Sequence, residues 1–462
     1  MRDNMGDDHT PMKHVWLFPI WLGSMLFLYQ HISPLLNLDL GIRITPDRLL
    51  FLLILGLFLK STSRRRRVGA VEQLMFAFAV LCTISWVMTR PDAEGTKLRW
   101  LTTVFQLTYF PFIAYYIARN SDYSERDLKR LLNGVLIIQT YLVFTGLAEH
   151  YQISWLVWPR YILNRILSDQ GDRLTGSFCS SSMLGAALVM NLGCLFIMIL
   201  YSKGLKRLYL YVLGLLSCAC IYFTSTRTVW LGLFAMLVIF YFSRTGLRKP
   251  ARNLCLCLLL VALTGISGKF SIYEKSLFSR RPETVEYRRI NLEAGLKKFR
   301  EHPLFGIGYG GFDKRMSKGD AGIDEGTLTT GNENTWLGIL VDVGLMGLLP
   351  YVLIFALLIR SNIQILRRYH DDRGLVQPLA AVALAMMVYT AINANTGDLR
   401  FHLYDPCFAF VVQGIVARLG KRMPETPGMG DDNLEQILEE PSDFDVGEPV
   451  RVGVYEVQAK PA

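Results

Sequence analysis

Residues 51–67 read FLLILGLFLKSTSRRRR, a run of nine residues with no charge, then a lysine and, after a short polar stretch, four consecutive arginines. An uncharged apolar run belongs in hydrocarbon, and a cluster of Lys and Arg beside it belongs at the cytoplasmic headgroups. Working outward, the same alternation recurs. Apolar segments lie near 15–34, 46–59, 68–88, 99–118, 131–148, 181–201, 207–225, 228–243, 253–268, 335–360, 375–394 and 403–419. Each approaches the ~20 residues that a helix needs to cross ~30 Å of bilayer core. The second, eighth and ninth are short, and flanking polar residues or a thinned bilayer accommodate them. The expected fold is all-α: a polytopic membrane protein of about twelve transmembrane helices.

Composition agrees. Of 462 residues, 51% are hydrophobic and 19% charged, against about 25% charged in an average soluble domain. This excludes a disordered chain, a nucleic-acid-binding globule and a disulfide scaffold. The net charge of +10 is therefore read loop by loop.

With the N-terminus inside, the even loops should be basic, and they are. Lys60 and Arg64–Arg67 follow the second span, Arg126, Lys129 and Arg130 the fourth, and Lys203, Lys206 and Arg207 the sixth. Arg248, Lys249 and Arg252 follow the eighth, Arg360, Arg367, Arg368 and Arg373 the tenth, and Arg418, Lys421 and Arg422 the twelfth. Both termini are expected in the cytoplasm. The first residues, MRDNMGDDHTPMKH, lack the features of a cleaved signal peptide, so the first span is expected to act as the insertion signal.

The expected organisation is then a cytoplasmic N-terminus (1–14), a membrane core (15–268), a large external loop (269–334), a second membrane section (335–422) and a disordered cytoplasmic tail (423–462). The tail holds ten acids against Arg451 and Lys460. A second long external loop spans 149–180, and long ordered loops are where function concentrates. Seven of the eight cysteines fall in spans; Cys179 alone is expected outside, so no external disulfide within the chain and no zinc site is expected. No Asn-x-Ser/Thr sequon occurs, a hint of a prokaryotic source.

Chemistry-bearing residues gather at the external edges. Arg227 stands in the short turn Thr224-Ser225-Thr226-Arg227-Thr228-Val229-Trp230, among hydroxyls. A guanidinium binds phosphate bidentately, so this set suits a pyrophosphate at the headgroup plane; the bland alternative is an Arg snorkelling to ordinary lipid phosphate. The stretch Glu286–Phe299 reads as an amphipathic helix whose apolar face is Leu292, Leu296 and Phe299, with Arg288 on the same face and Arg289 paired to Glu293 on the polar one. Arg288 is thus the functional candidate, against a buried structural ion pair.

His302-Pro303-Leu304-Phe305-Gly306-Ile307-Gly308-Tyr309-Gly310-Gly311-Phe312 follows, and its glycines permit tight turns and close backbone approach. Its resemblance to a dinucleotide fingerprint is superficial, because no strand–helix unit surrounds it. Glu333 and Asn334 stand where the large loop returns to the membrane, and a carboxylate there is a candidate general base, or else a helix N-terminal charge. Asp342, inside the following span, is expected to have a structural hydrogen-bonding role. Arg173, in Gly171-Asp172-Arg173-Leu174-Thr175-Gly176-Ser177-Phe178, is a further phosphate or sugar candidate. Trp155 and Trp158 read as interfacial anchors or sugar-stacking platforms.

In this order the pieces resemble the O-antigen ligase and O-antigen polymerase family of bacterial membrane glycosyltransferases. The matching features are Arg173, Gly176 and Phe178; the Thr-Arg turn leading to Trp230; the Arg288 helix running into His-Pro-Leu-x-Gly-x-Gly; and Asn334, Trp336, Leu337, Gly344, Leu345 and Gly347. The resemblance implies an inverting transfer from a polyprenyl-pyrophosphate-linked glycan to a hydroxyl of a glycan, lipid-linked or protein acceptor, with no metal and no nucleotide cofactor. It implies a bacterial inner-membrane enzyme with its active site on the periplasmic face, serving lipopolysaccharide or exopolysaccharide synthesis. By the same analogy Arg227 and Arg288 bind the pyrophosphate and stabilise its charge, while Arg173, Asn334 and His302 bind substrate. The family's base is typically a His directly before the Asn, and Glu333 stands there instead. Cys179-Ser180-Ser181-Ser182 stands where Asn-Pro-Asn is expected. The rival classes are a transporter or flippase for lipid-linked glycans, which tends to carry midplane charges and repeated halves, and a membrane scaffold using the acidic tail.

Overall fold

The computed structural model describes residues 15–27, 45–61, 68–88, 101, 103–163, 173–243, 245–265, 282–312, 334–369 and 374–421. The N-terminal residues 1–14, much of the 269–334 loop, Glu333 and the tail from Met423 lie outside them.

Among the described residues the regular structure is helical, without strands. The helices are α1 (Leu17–Ser24), α2 (Pro46–Ser61), α3 (Ala70–Met88), α4 (Phe110–Arg119), α5 (Glu125–His150), α6 (Ser181–Tyr201), α7 (Gly204–Phe223), α8 (Arg227–Phe242), α9 (Arg248–Gly265), α10 (Pro282–Glu301), α11 (Thr335–Asp342), α12 (Gly344–Arg368), α13 (Val376–Asn393) and α14 (Tyr404–Leu419). A π-helical turn, Phe105–Tyr109, leads into α4. Among the described residues six helices, α3, α5, α6, α7, α12 and α13, are long and apolar enough to cross a membrane, and α8 is a shorter apolar helix.

Local chemistry sets the boundaries. Helix α5 begins six residues before the expected apolar run, because Ser124 and Asp127 form a reciprocal capping box. Helices α6 and α13 are buried almost all round and form the centre, as expected of helices apolar on every face. Outer helices turn large apolar side chains outward, among them Phe76, Ile137, Leu208 and Phe234, which suits contact with lipid.

The expected tenth span, 335–360, is two helices. The chain breaks at Val343–Gly344, where Gly344 takes φ +73°. A Cβ on Gly344 would collide with the Leu304 carbonyl, so the break needs glycine both for its dihedral and for the close approach. Segment 303–308 fills the gap. Ile307 N–H donates to Val341 O (3.0 Å), Gly308 N–H to Asp342 O (3.0 Å), Leu345 N–H to Pro303 O (3.0 Å) and Met346 N–H to Leu304 O (3.1 Å). The glycine-rich stretch therefore serves close backbone approach.

Helix ends meet in two groups. At one, Ser181 meets Thr226, Thr335 meets Ala394, and Phe178 meets Tyr404. At the other, Arg119 pairs with Glu72, Arg418 with Asp122 (2.6 Å), and the Tyr369 hydroxyl donates to Gly420 O (2.9 Å). The ends beside the basic loops form the second group.

Candidate active site

The segment carrying Arg173 is anchored by a carboxylate. Glu149, in the last turn of α5, accepts from Thr175 N–H (3.1 Å), the Thr175 hydroxyl (3.0 Å) and Gly176 N–H (2.7 Å). Leu174 N–H donates to Phe223 O at the end of α7 (3.2 Å). Arg173 itself is exposed. Burial, with the Glu149 charge as a second cause, pushes the Cys179 thiol up to about 11.

The next turn lies beside this one. Ser225 takes a left-handed conformation, φ 49°, and lets the chain reverse between α7 and α8. The Thr226 hydroxyl donates to Ser181 Oγ (3.1 Å). Trp230 closes the turn, donating from Nε1 to Ile221 O (3.1 Å) and stacking on Tyr222 at 5.6 Å. Arg227 opens α8 and is exposed. A cation at a helix N-terminus opposes the dipole, and an anion bound there is favoured by both guanidinium and helix. The structure thus brings the Arg173 segment and the Arg227 turn together.

Helix α10 corrects one expectation. Its packed face is Ile290, Asn291, Ala294 and Phe299, set against Leu337, Val341, Ile307 and Phe312. Leu292 and Leu296 point outward, 48% and 38% exposed, and Arg288 is exposed with them. The cause is Gly295: an added Cβ would lie 2.9 Å from Leu337 Cδ1. The seam is built on small residues that allow close approach, as helix contacts within membranes often are, and the bulkier leucines are left outside. Arg289 and Glu293 form the expected surface pair at 3.6 Å. His302 is exposed past the end of α10, where its carbonyl accepts Gly306 N–H (3.1 Å).

Asn334 caps α11, accepting Leu337 N–H at 3.0 Å. Thr335 then locks this start to the loop before α14. Its N–H donates to Ala394 O (2.8 Å), its hydroxyl donates to Gly397 O (2.9 Å) and accepts Leu399 N–H (2.8 Å). Asp342 has the structural hydrogen-bonding role expected of it: its carboxylate accepts Gly310 N–H (2.9 Å) and Phe312 N–H (2.8 Å).

The same loop holds residues that the sequence reading passed over. Arg400 is fully buried between Asp342 (2.7 Å) and Asp398 (2.5 Å), with its guanidinium 5.7 Å from the centre of the Tyr309 ring. His402 Nδ1 lies 3.3 Å from Asp405 Oδ2. The available signals were Asp398-x-Arg400 and His402-x-x-Asp405, acid–base pairs at short spacing in the loop 394–403 and the first turn of α14.

Residues 212–352 match the family model described as O-antigen ligase. The match covers less than a third of the chain. It includes Arg227, Trp230, Arg288, His302, Asn334 and Asp342, and supports the O-antigen ligase/polymerase resemblance. No curated protein matches the chain.

Proposed function

We propose that this chain is a membrane glycosyltransferase of the O-antigen ligase or polymerase type, working on polyprenyl-pyrophosphate-linked glycan at the external face of the bacterial inner membrane. The observation that carries the reading is Arg227 at the N-terminus of α8, among the hydroxyls of Thr226 and Ser181 and inside the matched region.

In the proposed reaction an acceptor hydroxyl attacks the anomeric carbon from the face opposite the pyrophosphate. The bond from carbon to phosphate oxygen breaks, and its electron pair leaves with the pyrophosphate. Arg227, with Arg288, offsets that developing charge; Arg173, Asn334 and His302 hold the substrates. The hydroxyl proton leaves near the start of α11, where the sequence offers Glu333. Both termini are cytoplasmic in this reading. The partners are the lipid-linked donor, a glycan or lipid-linked acceptor and the bilayer itself.

The test is a deletion strain whose envelope glycans and polyprenyl-linked intermediates are resolved by gel and mass spectrometry. Single repeat units accumulating on the carrier indicate a polymerase; long chains that stay on the carrier indicate a ligase. Arg227→Ala, expressed and inserted normally, is expected to reproduce the deletion phenotype. Unchanged glycans on deletion in a strain without a second such enzyme would end this reading.

A further inference from the structure

The loop between α13 and α14 and the first turn of α14 together hold a side-chain pair with the arrangement of an oriented base. A carboxylate only accepts, so the contact between His402 Nδ1 and Asp405 Oδ2 (3.3 Å) puts the imidazole proton on Nδ1. Nε2 then carries the lone pair, and it makes no hydrogen bond among the described residues. His402 is 7% exposed and Asp405 1%, so the carboxylate is shielded while the ring keeps an opening.

A glycine borders the ring. A methyl group on Gly397 would sit 3.4 Å from His402 Cε1 and 3.5 Å from Asn393 Oδ1, so glycine keeps a small space into which both side chains face. Among the described residues, both polar atoms of the Asn393 side chain, the second carboxylate oxygen of Asp405 and the Tyr389 hydroxyl are buried and find no hydrogen-bond partner. A packed core seldom leaves such a set unpaired.

The pair also lies level with Arg227. Tyr389 packs on Gly232 where α13 crosses α8. Gly232 is five residues inward from Arg227 and Tyr389 four residues inward from Asn393, which at 1.5 Å per residue is about 7.5 and about 6 Å. Arg227 and Asn393 thus stand at the same height on touching helices. Thr335, one residue from Asn334, is bonded to Ala394, Gly397 and Leu399 on the same loop.

We propose that His402, rather than Glu333, takes the proton from the acceptor hydroxyl, and that Asp405 positions it. The assignment rests on the glycosyl-transfer reading above. As the oxygen bonds to the anomeric carbon, the hydroxyl proton passes to Nε2 and the pyrophosphate leaves with its electron pair. The Asp405 carboxylate stabilises the imidazolium, which then returns its proton to water.

Membranes of the deletion strain, carrying the strain's own lipid-linked glycan and one full-length variant, decide it by gel and mass spectrometry of the transferred glycan. His402→Gly is expected to lose about 100-fold or more in transfer rate and to recover at least about tenfold with added imidazole, because a free base fills the vacated space. Asp405→Asn is expected to lower kcat by about 10- to 100-fold, with KM little changed. A misfolded protein does not respond to imidazole, so rescue separates proton transfer from structure; His402→Gln serves as a second variant for insertion and thermal unfolding. If well-folded His402→Gly and His402→Gln transfer glycan at the wild-type rate, or if imidazole leaves a well-folded His402→Gly unchanged, the assignment is overturned. Rescue of Glu333→Gly by formate, with no rescue of His402→Gly, overturns it in favour of Glu333. Unchanged glycans on deletion and on Arg227→Ala overturn the transfer reading itself, and this assignment with it.

Discussion

Arg400 and Asp342 form a fully buried ion pair at 2.7 Å, joining the loop before α14 to the last residue of α11. Asp342 also holds the backbone of Gly310 and Phe312, and Arg400 also holds Asp398. One contact thus ties together three stretches of chain that are remote in sequence. Removing one partner of a buried pair costs about 3–5 kcal/mol, since the other charge is left uncompensated. Arg400→Met strands two carboxylates and is expected to destabilise more than Asp342→Asn, which leaves Arg400 paired with Asp398 and strands one backbone N–H, of Gly310 or Phe312. Thermal unfolding of the detergent-solubilised protein checks the order, and equal, small shifts for both would contradict it.

Gly344 meets two demands at once, a left-handed backbone and contact with the Leu304 carbonyl. Gly344→Ala is therefore expected to cost more than the ~1 kcal/mol gained at compatible glycine sites and to loosen the docking of 303–308. Gly56 is the control: nothing lies within 4 Å of a Cβ there, and alanine should leave stability unchanged or slightly raised. Proteolysis within 303–312 at a rate unaltered by Gly344→Ala would count against this account.

The Cys179 thiol, at about 11, is protonated at neutral pH. The thiolate is the reactive form, so raising a thiol's pKa suppresses alkylation. At pH 8 about 0.1% is thiolate, and the rate should climb about tenfold per pH unit until near 11. Peptide-resolved mass spectrometry after maleimide treatment from pH 7.5 to 9.5 measures the slope. Removing the neighbouring charge with Glu149→Gln should raise the rate at fixed pH; loosening of the loop through its lost hydrogen bonds would raise it too, and hydrogen exchange at Thr175 and Gly176 tells the two apart. A pH-independent rate in the wild type would refute the shift.

Where apolar run and helix coincide, the fold was legible: Ser181–Tyr201 is a helix over the whole of its predicted segment. Charge-free length is a local property, and the chain shows it directly. The break at Gly344 was not legible, because it depends on Leu304 and its neighbours approaching from another element. Arg173 and Arg227 were visible as cations at loop edges, but the adjacency of their segments depends on the hydrogen bonds of Leu174 and Thr226. Arg400 and His402 were not legible, because the burial of Arg400 between Asp342 and Asp398 and of His402 against Asp405 exists only once the chain has folded.

The face of α10 gives the sharpest contrast between sequence pattern and packing. Leucines at positions 292 and 296 look like a core stripe, yet both face outward, and Gly295 lies against Leu337 instead. Gly295→Val would force its branched side chain into three atoms of Leu337, each about 3 Å from the Cβ alone. Overpacking of that kind costs about 1–3 kcal/mol, so the α10–α11 seam should open and thermal stability fall. Leu292→Ser and Leu296→Ser remove exposed groups and should stay within about 0.5 kcal/mol of the wild type. A large loss of stability from either serine variant, with Gly295→Val tolerated, would restore the leucine face as the packed one and displace Arg288 from the exposed side.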